Sequence, residues 1–388
     1  MLDFIKNILY IIYNTPFSCL CFLISIFGKK KNAIFVNCFD GKSFGDNPKA
    51  ILDAAYSQGL SIETYWLDIS GNKSNGNTFY IKPNSIKSIY YMSVCKIWIS
   101  NVRMPYYSYK SKKTTYINTW HGGLSIKKIE GECQEKLSQR YIMQAKHDSK
   151  LIDYIISECE DMSRLYNQYF WINNPNILKI GSPRNDIFFR DNEKLLKTLV
   201  TKFSIQGKKI LLYAPTFRNS SYDDLYDVDF DTIRKTLNKK FGNDWIVMLR
   251  YHPRFLNSRE LSNKDNCINV TSYPDIQELL VLADVLITDY SSTCLDFILT
   301  KKPVFIYAKD IKAYEKERGF HLDLNMCPFS VSENNLQLEN HILNFDLEKY
   351  KKDIQIFIEQ HGYYSKGESS IKIVNMIQRL LNEDNNHE

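Results

Sequence analysis

A histidine stands between a strand-like run and a lysine-rich segment in TTYINTWHGGLSIKKIEGE, residues 114–132. Histidine titrates near neutral pH and can take a proton from an attacking hydroxyl, so His121 is a candidate general base. Gly122 and Gly123 let the backbone approach a ligand closely. Two interpretations stay open: an ordinary turn from a strand into a helix, or a catalytic histidine beside a phosphate cradle. The strand-tip position and the paired glycines favour catalysis.

Hydroxyl side chains follow a second strand-like run in ITDYSSTCLDF, residues 287–297. The pattern predicts a strand that ends at Asp289 and leads through Ser291 and Ser292 into an apolar helix. Backbone N–H groups and the dipole at such a helix start attract anions, so the two serines are candidate diphosphate contacts. Serine also caps ordinary helices, and the motif taken alone is more typical of a simple capped helix.

Two further turns carry a fixed cation. APTFR, residues 214–218, offers Thr216 and Arg218, and an arginine fork suits phosphate oxygens as well as a surface carboxylate. SPRND, residues 182–186, predicts a turn that caps the next helix, and Arg184 is its one side chain suited to phosphate.

The segment RYHPR, residues 250–254, places Arg250 and Arg254 close to His252 on the chain. Positive charges packed into one loop repel one another unless an anion neutralises them. This cluster therefore favours an anion-binding loop over a solvated turn.

The elements that must position these residues alternate between short apolar strands and helical segments in both halves of the chain. This alternation is typical of parallel sheets covered by helices on both faces. We expect an α/β fold with two doubly wound, Rossmann-like domains, at residues 32–190 and 207–375, and a cleft between them. Ligands of open parallel sheets bind outside the carboxyl ends of the strands. Four candidate residues follow predicted strands in this way: His121, Thr216, His252 and Ser291.

Composition narrows the possible partners. The chain has 388 residues, and its net charge of +6 suits an anionic substrate or membrane better than extended nucleic acid. No nucleic-acid motif is present, so we expect no nucleic-acid partner. The nine cysteines are scattered, which is typical of reduced thiols in the cytosol. Neither a metal-ligand motif nor a dinucleotide or P-loop motif occurs, so we expect no metal and no cofactor.

An apolar run, ILYIIYNTPFSCLCFLISIF, occupies residues 8–27 and is followed by three lysines at 29–31. Its length just suffices to span a bilayer, which takes about 20 residues. Polar residues and a proline at 14–18 are expected to divide it into two blocks. A surface or shallow hairpin anchor, a true span and a buried core segment stay open. We expect residues 1–31 to associate with the cytoplasmic face of the membrane, with the lysines against anionic headgroups.

Taken together, the motifs resemble those of the CDP-glycerol glycerophosphotransferase family, the teichoic acid and capsule polymer primases and polymerases. The resemblance covers roughly residues 32–375 and depends on eight segments in the family's order: GDNPKAI, NTWHGG, GSPRND, LLYAPTFR, RYHP, SYPDIQELLVLADVLITDYSSTCLDF, PVFIYAKDIKAYEKERGFHLD and GESSIKI. Many members read H-G-T-P where this chain has His121-Gly122-Gly123-Leu124. Many also have Phe where Leu295 stands.

The resemblance implies a GT-B-like fold and the transfer of glycerol phosphate from CDP-glycerol to a hydroxyl of a lipid-linked or glycan acceptor, with release of CMP and without a metal. It implies that His121 is the base and that His252 stabilises or protonates the leaving phosphate. The substrate contacts that it implies are Thr216, Arg218, Glu278, Asp289, Ser291 and Ser292. The chemistry of the motifs adds Gly122, Gly123, Arg184 and Arg250 as candidate substrate contacts. A CDP-ribitol donor, a nucleotide-sugar glycosyltransferase on the same fold and a non-catalytic membrane scaffold stay as alternatives.

Overall fold

The structure is a computed structural model that describes residues 2–173, 176–216, 227–251 and 267–383. Its internal contacts divide the chain into two compact units. Unit 1 comprises Met1–Gly123, Ile129–Asp186 and Tyr363–Glu388, and unit 2 comprises Leu124–Lys128 and Ile187–Gly362.

Each unit contains one parallel sheet. The strands are β1 (Lys31–Asn37), β2 (Glu63–Leu67), β3 (Thr78–Ile81), β4 (Cys95–Ser100), β5 (Thr115–Asn118), β6 (Tyr154–Ser157), β7 (Asn176–Lys179), β8 (Lys208–Ala214), β9 (Asp244–Leu249), β10 (Cys267–Asn269), β11 (Val285–Thr288), β12 (Val304–Tyr307) and β13 (Ser330–Ser332). The order is β3-β2-β1-β4-β5-β6-β7 in unit 1 and β10-β9-β8-β11-β12-β13 in unit 2. In each sheet the order reverses at one pair, β1 beside β4 and β8 beside β11, where doubly wound folds bind their ligands.

Helices connect the strands. They are α1 (Leu2–Phe27), α2 (Asp46–Ser57), α3 (Ile86–Val94), α4 (Gln139–Ser149), α5 (Glu160–Tyr169), α6 (Glu193–Phe203), α7 (Phe230–Phe241), α8 (Ile276–Leu282), α9 (Thr293–Phe297), α10 (Ile311–Glu317), α11 (Asn335–Leu343), α12 (Leu347–His361) and α13 (Ser369–Glu383). The central strands are apolar and almost wholly buried, as expected for sheets covered on both faces. The predicted pair of doubly wound α/β domains is therefore present.

The last helix differs from the sequence-based expectation, which extends the C-terminal domain to residue 375. Helix α13 instead belongs to unit 1. Its buried residues Ile373, Val374 and Ile377 share a core cluster with residues of α2 and the unit 1 strands, including Ile51 and Ile34. The apolar stripe of α13 is buried against the first sheet, which is a contact that sequence order does not reveal.

Helix α1 is a single helix, so the predicted division into two blocks is wrong. Pro16 lies inside it. The neighbouring polar side chains bond back to the helix itself: the Asn14 amide donates to the Tyr10 carbonyl at 2.7 Å, and the Thr15 hydroxyl donates to the Ile11 carbonyl at 2.8 Å. Such bonds let polar residues stay within a helix. Within the described residues, α1 is also the one helix apolar and long enough to cross a membrane, at Ile5–Phe27 with mean hydropathy 1.7.

Two of the three lysines after α1 have partners within unit 1, while the predicted contact of the lysines with headgroups stays a prediction. The Lys30 ammonium donates to the Ser93 carbonyl at 2.6 Å and to the Thr114 hydroxyl at 2.9 Å, and desolvation lowers its pKa to about 8. Lys31 lies 3.4 Å from the Glu63 carboxylate. These two cations anchor the start of β1.

Candidate active site

His121 lies just beyond the end of β5, on a turn with unusual backbone geometry. The preceding residue, Trp120, has φ +49°, a left-handed conformation that costs a non-glycine residue about 1–2 kcal/mol. The Trp120 N–H donates to the Asn118 side chain at 2.8 Å, and its ring packs edge-on against Phe170 at 4.8 Å between centroids. Packing therefore holds the strained turn, and the turn sets the direction of His121.

One hydrogen bond fixes the tautomer of His121. Its Nδ1 lies 2.7 Å from the backbone carbonyl oxygen of Asn101, the residue that follows β4. A carbonyl oxygen only accepts, so Nδ1 carries the proton. In the neutral ring Nε2 is then the nitrogen with the free lone pair, and it is the atom able to accept a proton from a substrate.

The pKa of His121 is lowered. The side chain is exposed to solvent, yet protein atoms fill much of the space around it, and this desolvation disfavours the charged ring. The hydrogen bond to the Asn101 carbonyl and the Asp46 carboxylate oppose the shift, whereas Arg184 reinforces it. The net effect keeps the imidazole neutral at pH 7, which is the form that a general base requires.

A polar network supports this histidine from the start of α2. The Asp46 carboxylate accepts from the Asn101 side-chain amide at 2.7 Å and from the Arg184 guanidinium at 3.0 Å. Arg184 is only 6% exposed. The structure thus places Arg184 in an ion pair with Asp46, next to the network that holds His121, and its predicted contact with phosphate stays a prediction.

Asn47 ties the same turn to α2. Its amide donates to the carbonyls of Thr119 and Trp120, each at 3.1 Å, and its side-chain oxygen accepts from the Arg184 N–H at 3.0 Å. Asp46, Asn47 and Asn101 are not among the site residues that the motifs predict. An asparagine directly after an apolar strand, at the edge where ligands bind, was the available signal for Asn101.

The two glycines after His121 do not lead into a helix. Gly123 is buried and Gly122 is half-buried, and the chain then passes from unit 1 into the Leu124–Lys128 segment of unit 2. Lys127 forms an antiparallel bridge with Phe320. The chain therefore does not turn at once from β5 into a helix: a 3-10 helix spans Glu130–Lys136, and α4 begins at Gln139.

In unit 2 the structure brings together two candidates that lie far apart in sequence. Asp289, directly after β11, accepts from the Thr216 backbone N–H at 2.8 Å and also from the Thr216 hydroxyl. Asp289 is 3% exposed. Since β8 and β11 flank the point where the strand order reverses, this pair holds Thr216, two residues beyond β8, at the edge where a ligand is expected.

The serines lie at the start of the short helix α9. The Ser291 hydroxyl is 2.9 Å from the Thr293 hydroxyl and accepts from the Thr293 N–H at 3.3 Å. Ser292 makes no side-chain capping bond. The Ser291 side chain therefore makes the capping bond that the sequence predicts at this helix start. Both serines are half-buried.

Arg250 and Glu278 meet at Tyr273. The Arg250 guanidinium donates to the Tyr273 carbonyl at 2.6 Å, and the Tyr273 hydroxyl donates to the Glu278 carboxylate. Burial lowers the pKa of Arg250 to about 10, so it stays charged at neutral pH. Arg218 and His252 lie outside the described residues. Among the described residues no group of three or more His, Cys, Asp and Glu side chains could hold a metal ion.

Comparison with known proteins identifies the family. A family model described as CDP-Glycerol:Poly(glycerophosphate) glycerophosphotransferase matches residues 20–379. The chain belongs to this family. It is accordingly an enzyme, a transferase of the CDP-glycerol glycerophosphotransferase family.

Relatives with names cover most of the chain. The teichoic acid poly(glycerol phosphate) polymerase of Bacillus spizizenii is 28% identical over 95% of this chain and 96% of the relative. The teichoic acid glycerol-phosphate transferase of Staphylococcus aureus is 29% identical over 89% and 93%. The polymerase of Staphylococcus epidermidis is 28% identical over 91% of this chain, which spans about half of that protein, 51%.

Solved structures show the same fold. The wall teichoic acid polymerase TagF has a TM-score of 0.83 at 27% identity and covers 98% of both chains. A histidine-to-asparagine variant of TagF soaked with CDPG also gives 0.83, at 26% identity. This similarity confirms the predicted GT-B-like fold class.

Proposed function

We propose that the chain transfers glycerol phosphate from CDP-glycerol to a hydroxyl of a lipid-linked or glycan acceptor and releases CMP, in the synthesis of teichoic acid or capsular polysaccharide. The observation that carries the proposal is the bond from His121 Nδ1 to the Asn101 carbonyl, together with the lowered pKa of His121. A neutral imidazole with a free Nε2 is suited to deprotonating an acceptor hydroxyl.

The reaction balances with these groups. The acceptor oxygen attacks the glycerol-bearing phosphorus, its proton goes to Nε2 of His121, and the bond from that phosphorus to the CMP oxygen breaks. CMP leaves as a phosphate monoester. The proposal requires the base and the donor phosphorus to meet during the reaction. Phosphoryl transfer depends mainly on positioning and on neutralising charge, so the remaining groups are expected to bind rather than to form bonds.

Unit 2 supplies groups suited to the donor. Thr216 and Ser291 follow the two strands that flank the switch point, and hydroxyls there suit diphosphate oxygens. Arg250, directly after β9, supplies a half-buried positive charge in the same unit. The proposed donor contacts, in addition to Gly122, Gly123 and Arg184 of unit 1, are Thr216, Arg218, Arg250, Glu278, Asp289, Ser291 and Ser292, with His252 at the leaving phosphate.

Helix α1 supports a peripheral or monotopic position at the cytoplasmic face of the membrane. One side of α1 packs on unit 1 through ring pairs, such as Tyr10 with Tyr106 at 5.3 Å and Phe22 with Tyr109 at 5.0 Å between centroids. The other side is apolar and exposed: Ile5, Ile8, Leu9, Ile11, Ile12, Leu23, Ile26 and Phe27. A helix that is packed on one side and apolar on the other suits the plane of the membrane interface.

The test is donor-dependent release of nucleotide. Purified full-length protein is incubated with membranes in three parallel reactions. Each reaction contains one donor: CDP-glycerol, CDP-ribitol or a UDP-sugar. The proposal expects CMP release and polymer-linked glycerol phosphate with CDP-glycerol. If CMP is released only from CDP-ribitol, the donor polyol is ribitol. If UDP is released from the UDP-sugar, the chain is a glycosyltransferase. If no nucleotide binds in a thermal-shift assay, the result favours a non-catalytic scaffold.

A further inference from the structure

A cavity of about 640 Å³ lies within unit 1, between α1 and the carboxyl ends of the strands. Side chains of α1, among them Tyr10, Tyr13 and Phe17, form one wall. The opposite wall comes from segments that follow β1, β2, β3 and β4, with Asn37, Asp40 and Lys82 among them. The volume falls within the range of about 300–1,000 Å³ that is usual for small-molecule sites.

Asn37, the last residue of β1, is one of the residues that line this cavity, and its side chain carries an unpaired polar atom. The residue is 1% exposed, and its side-chain oxygen has no hydrogen-bond partner within the part of the chain that the structure describes. Its amide nitrogen makes one weak contact, with the Met104 sulfur at 3.8 Å. Buried polar atoms in native proteins are almost always paired, so an orphan that lines a cavity points to a ligand.

One wall of the cavity is continuous with the residues that hold His121 in place. The Phe39 N–H donates to the Asn101 side chain at 2.9 Å, and the Phe39 ring lies 5.7 Å from the His121 ring between centroids. Asp40, the next residue, lines the cavity. A single loop thus borders both the candidate base and the cavity.

Gly41 fixes the path of this loop. It has φ +79°, and an added Cβ would lie 2.8 Å from the Pro83 side chain and 3.0 Å from the Asp68 nitrogen. Phe39 and Asp40 are left-handed as well, with φ +47° and +56°. A loop held in so specific a shape is suited to presenting a wall to a ligand.

The lining is amphipathic, which identifies the kind of ligand. Lys42 and Lys82 are both exposed at the polar side, against the single carboxylate of Asp40, which leaves a net positive charge. On the other side Tyr13 is 70% exposed and adjoins the apolar face of α1. Such a lining suits a molecule with a hydroxylated, anionic head and a hydrocarbon tail.

We propose that this cavity is the acceptor site: it takes the hydroxylated, phosphate-bearing head of a lipid-linked acceptor, whose tail lies along Tyr13 and the apolar face of α1. This proposal rests on the proposed function, because a transferase that acts on a lipid-linked acceptor requires a site that binds it. Asn37 would accept a hydrogen bond from a head-group hydroxyl, and the loop from Phe39 to Gly41 would bring the acceptor alongside His121.

Photolabelling of the full-length protein tests the site without turnover. The probe is dodecyl phosphoglycerol with a diazirine next to the phosphate, in phosphatidylcholine vesicles, and a choline-headed analogue is the control. We expect the glycerol probe to label segments 37–42, 82–84 or 105–107 preferentially. Equal labelling by both heads, or labelling confined to other segments, would overturn the proposal.

Variants sharpen the test. Asn37→Leu removes the orphan oxygen, and the surface pair Lys42→Glu with Lys82→Glu reverses the charge with little risk to folding. Each is expected to reduce labelling and to raise the KM for the acceptor about tenfold, with the KM for CDP-glycerol unchanged. Lys73→Glu, an exposed lysine of unit 1 outside the lining, should change neither.

The two proposals fail separately. If wild-type protein releases no CMP from CDP-glycerol, the proposed function is wrong, while specific labelling of the cavity would still support a site for an anionic amphiphile. If CMP is released but the charge-reversed pair has a normal KM for the acceptor and normal labelling, the acceptor site is wrong and the transferase stands.

Discussion

The Nδ1 atom of His121 lies 2.7 Å from the backbone oxygen of Asn101, and this contact joins the ends of two adjacent strands, β5 and β4. The Asn101 side chain in turn bonds to Asp46 at 2.7 Å. The orientation of the candidate base therefore depends on residues that follow β4 and β1 as well as on its own turn.

Replacing His121 should abolish most turnover. In His121→Gln, Nε2 is lost, and the loss of a general base typically costs about 10²–10⁴-fold in rate. We expect kcat, followed by CMP release, to fall within that range, while CDP-glycerol binds with unchanged affinity in calorimetric titration. His341→Gln is the matched control, since His341 lies in α11 and bonds to Ser332. Full turnover in His121→Gln would remove His121 from the mechanism.

The pH profile should reflect a histidine that prefers to be neutral. The pKa of His121 lies below the ordinary value of 6.5, chiefly because of desolvation. A required base is active when deprotonated, so kcat/KM should be level at neutral pH and fall as the pH drops through an inflection below 6.5. The residual activity of His121→Gln should lack this inflection. An inflection above 6.5 in the wild type would contradict the assignment.

Removing the charge of Asp46 should destabilise unit 1. Asp46→Asn keeps a residue that tolerates the left-handed φ of +58° but takes the carboxylate from the buried Arg184. Breaking a buried ion pair in this way costs about 3 kcal/mol or more. Urea unfolding measures the change. Asp53→Ala, which breaks the exposed pair with Lys49 in the same helix, should cost about 0.5 kcal/mol or less, and similar losses in both variants would refute the role of burial.

The exposed face of α1 should control binding to vesicles. The double variant Leu9→Glu with Ile12→Glu replaces two apolar side chains by carboxylates. The two side chains are 58% and 59% exposed, so folding is little affected. Each apolar side chain removed from the membrane forfeits about 1 kcal/mol or more, and we expect co-sedimentation with anionic vesicles to weaken at least about tenfold. Leu336→Glu in unit 2, 67% exposed, is the control. Unchanged sedimentation of the α1 variant would exclude this face as the membrane contact.

Sequence reasoning identified the strand-tip residues because their position depends only on local pattern. His121 follows an apolar run, and Ser291 follows another, so both could be placed at the carboxyl end of a strand without knowing the strand order. Thr216 follows the apolar run of β8 and can be placed by the same pattern. The two-domain α/β fold and the family resemblance followed from this alternation.

The supporting network could not be predicted because it depends on which strands are neighbours. Asp46 follows β1 and Asn101 follows β4, and only the pairing of these strands brings them together. The left-handed turn at Trp120 is likewise invisible to a pattern of apolar residues, since packing against Phe170 holds it. The ion pair of Arg184 with Asp46 likewise follows from the fold and not from the local sequence, whereas its contact with phosphate stays a prediction.

The return of α13 to unit 1 has a consequence for how the protein is made. The ribosome finishes unit 2 before it releases Ile373 and Val374, which complete the interior around Ile34. A nascent chain must therefore keep part of the first sheet uncovered until the residues of α13 have left the ribosome. Domains usually mature in order from the amino end during synthesis, and here a segment made after unit 2 completes the core of unit 1.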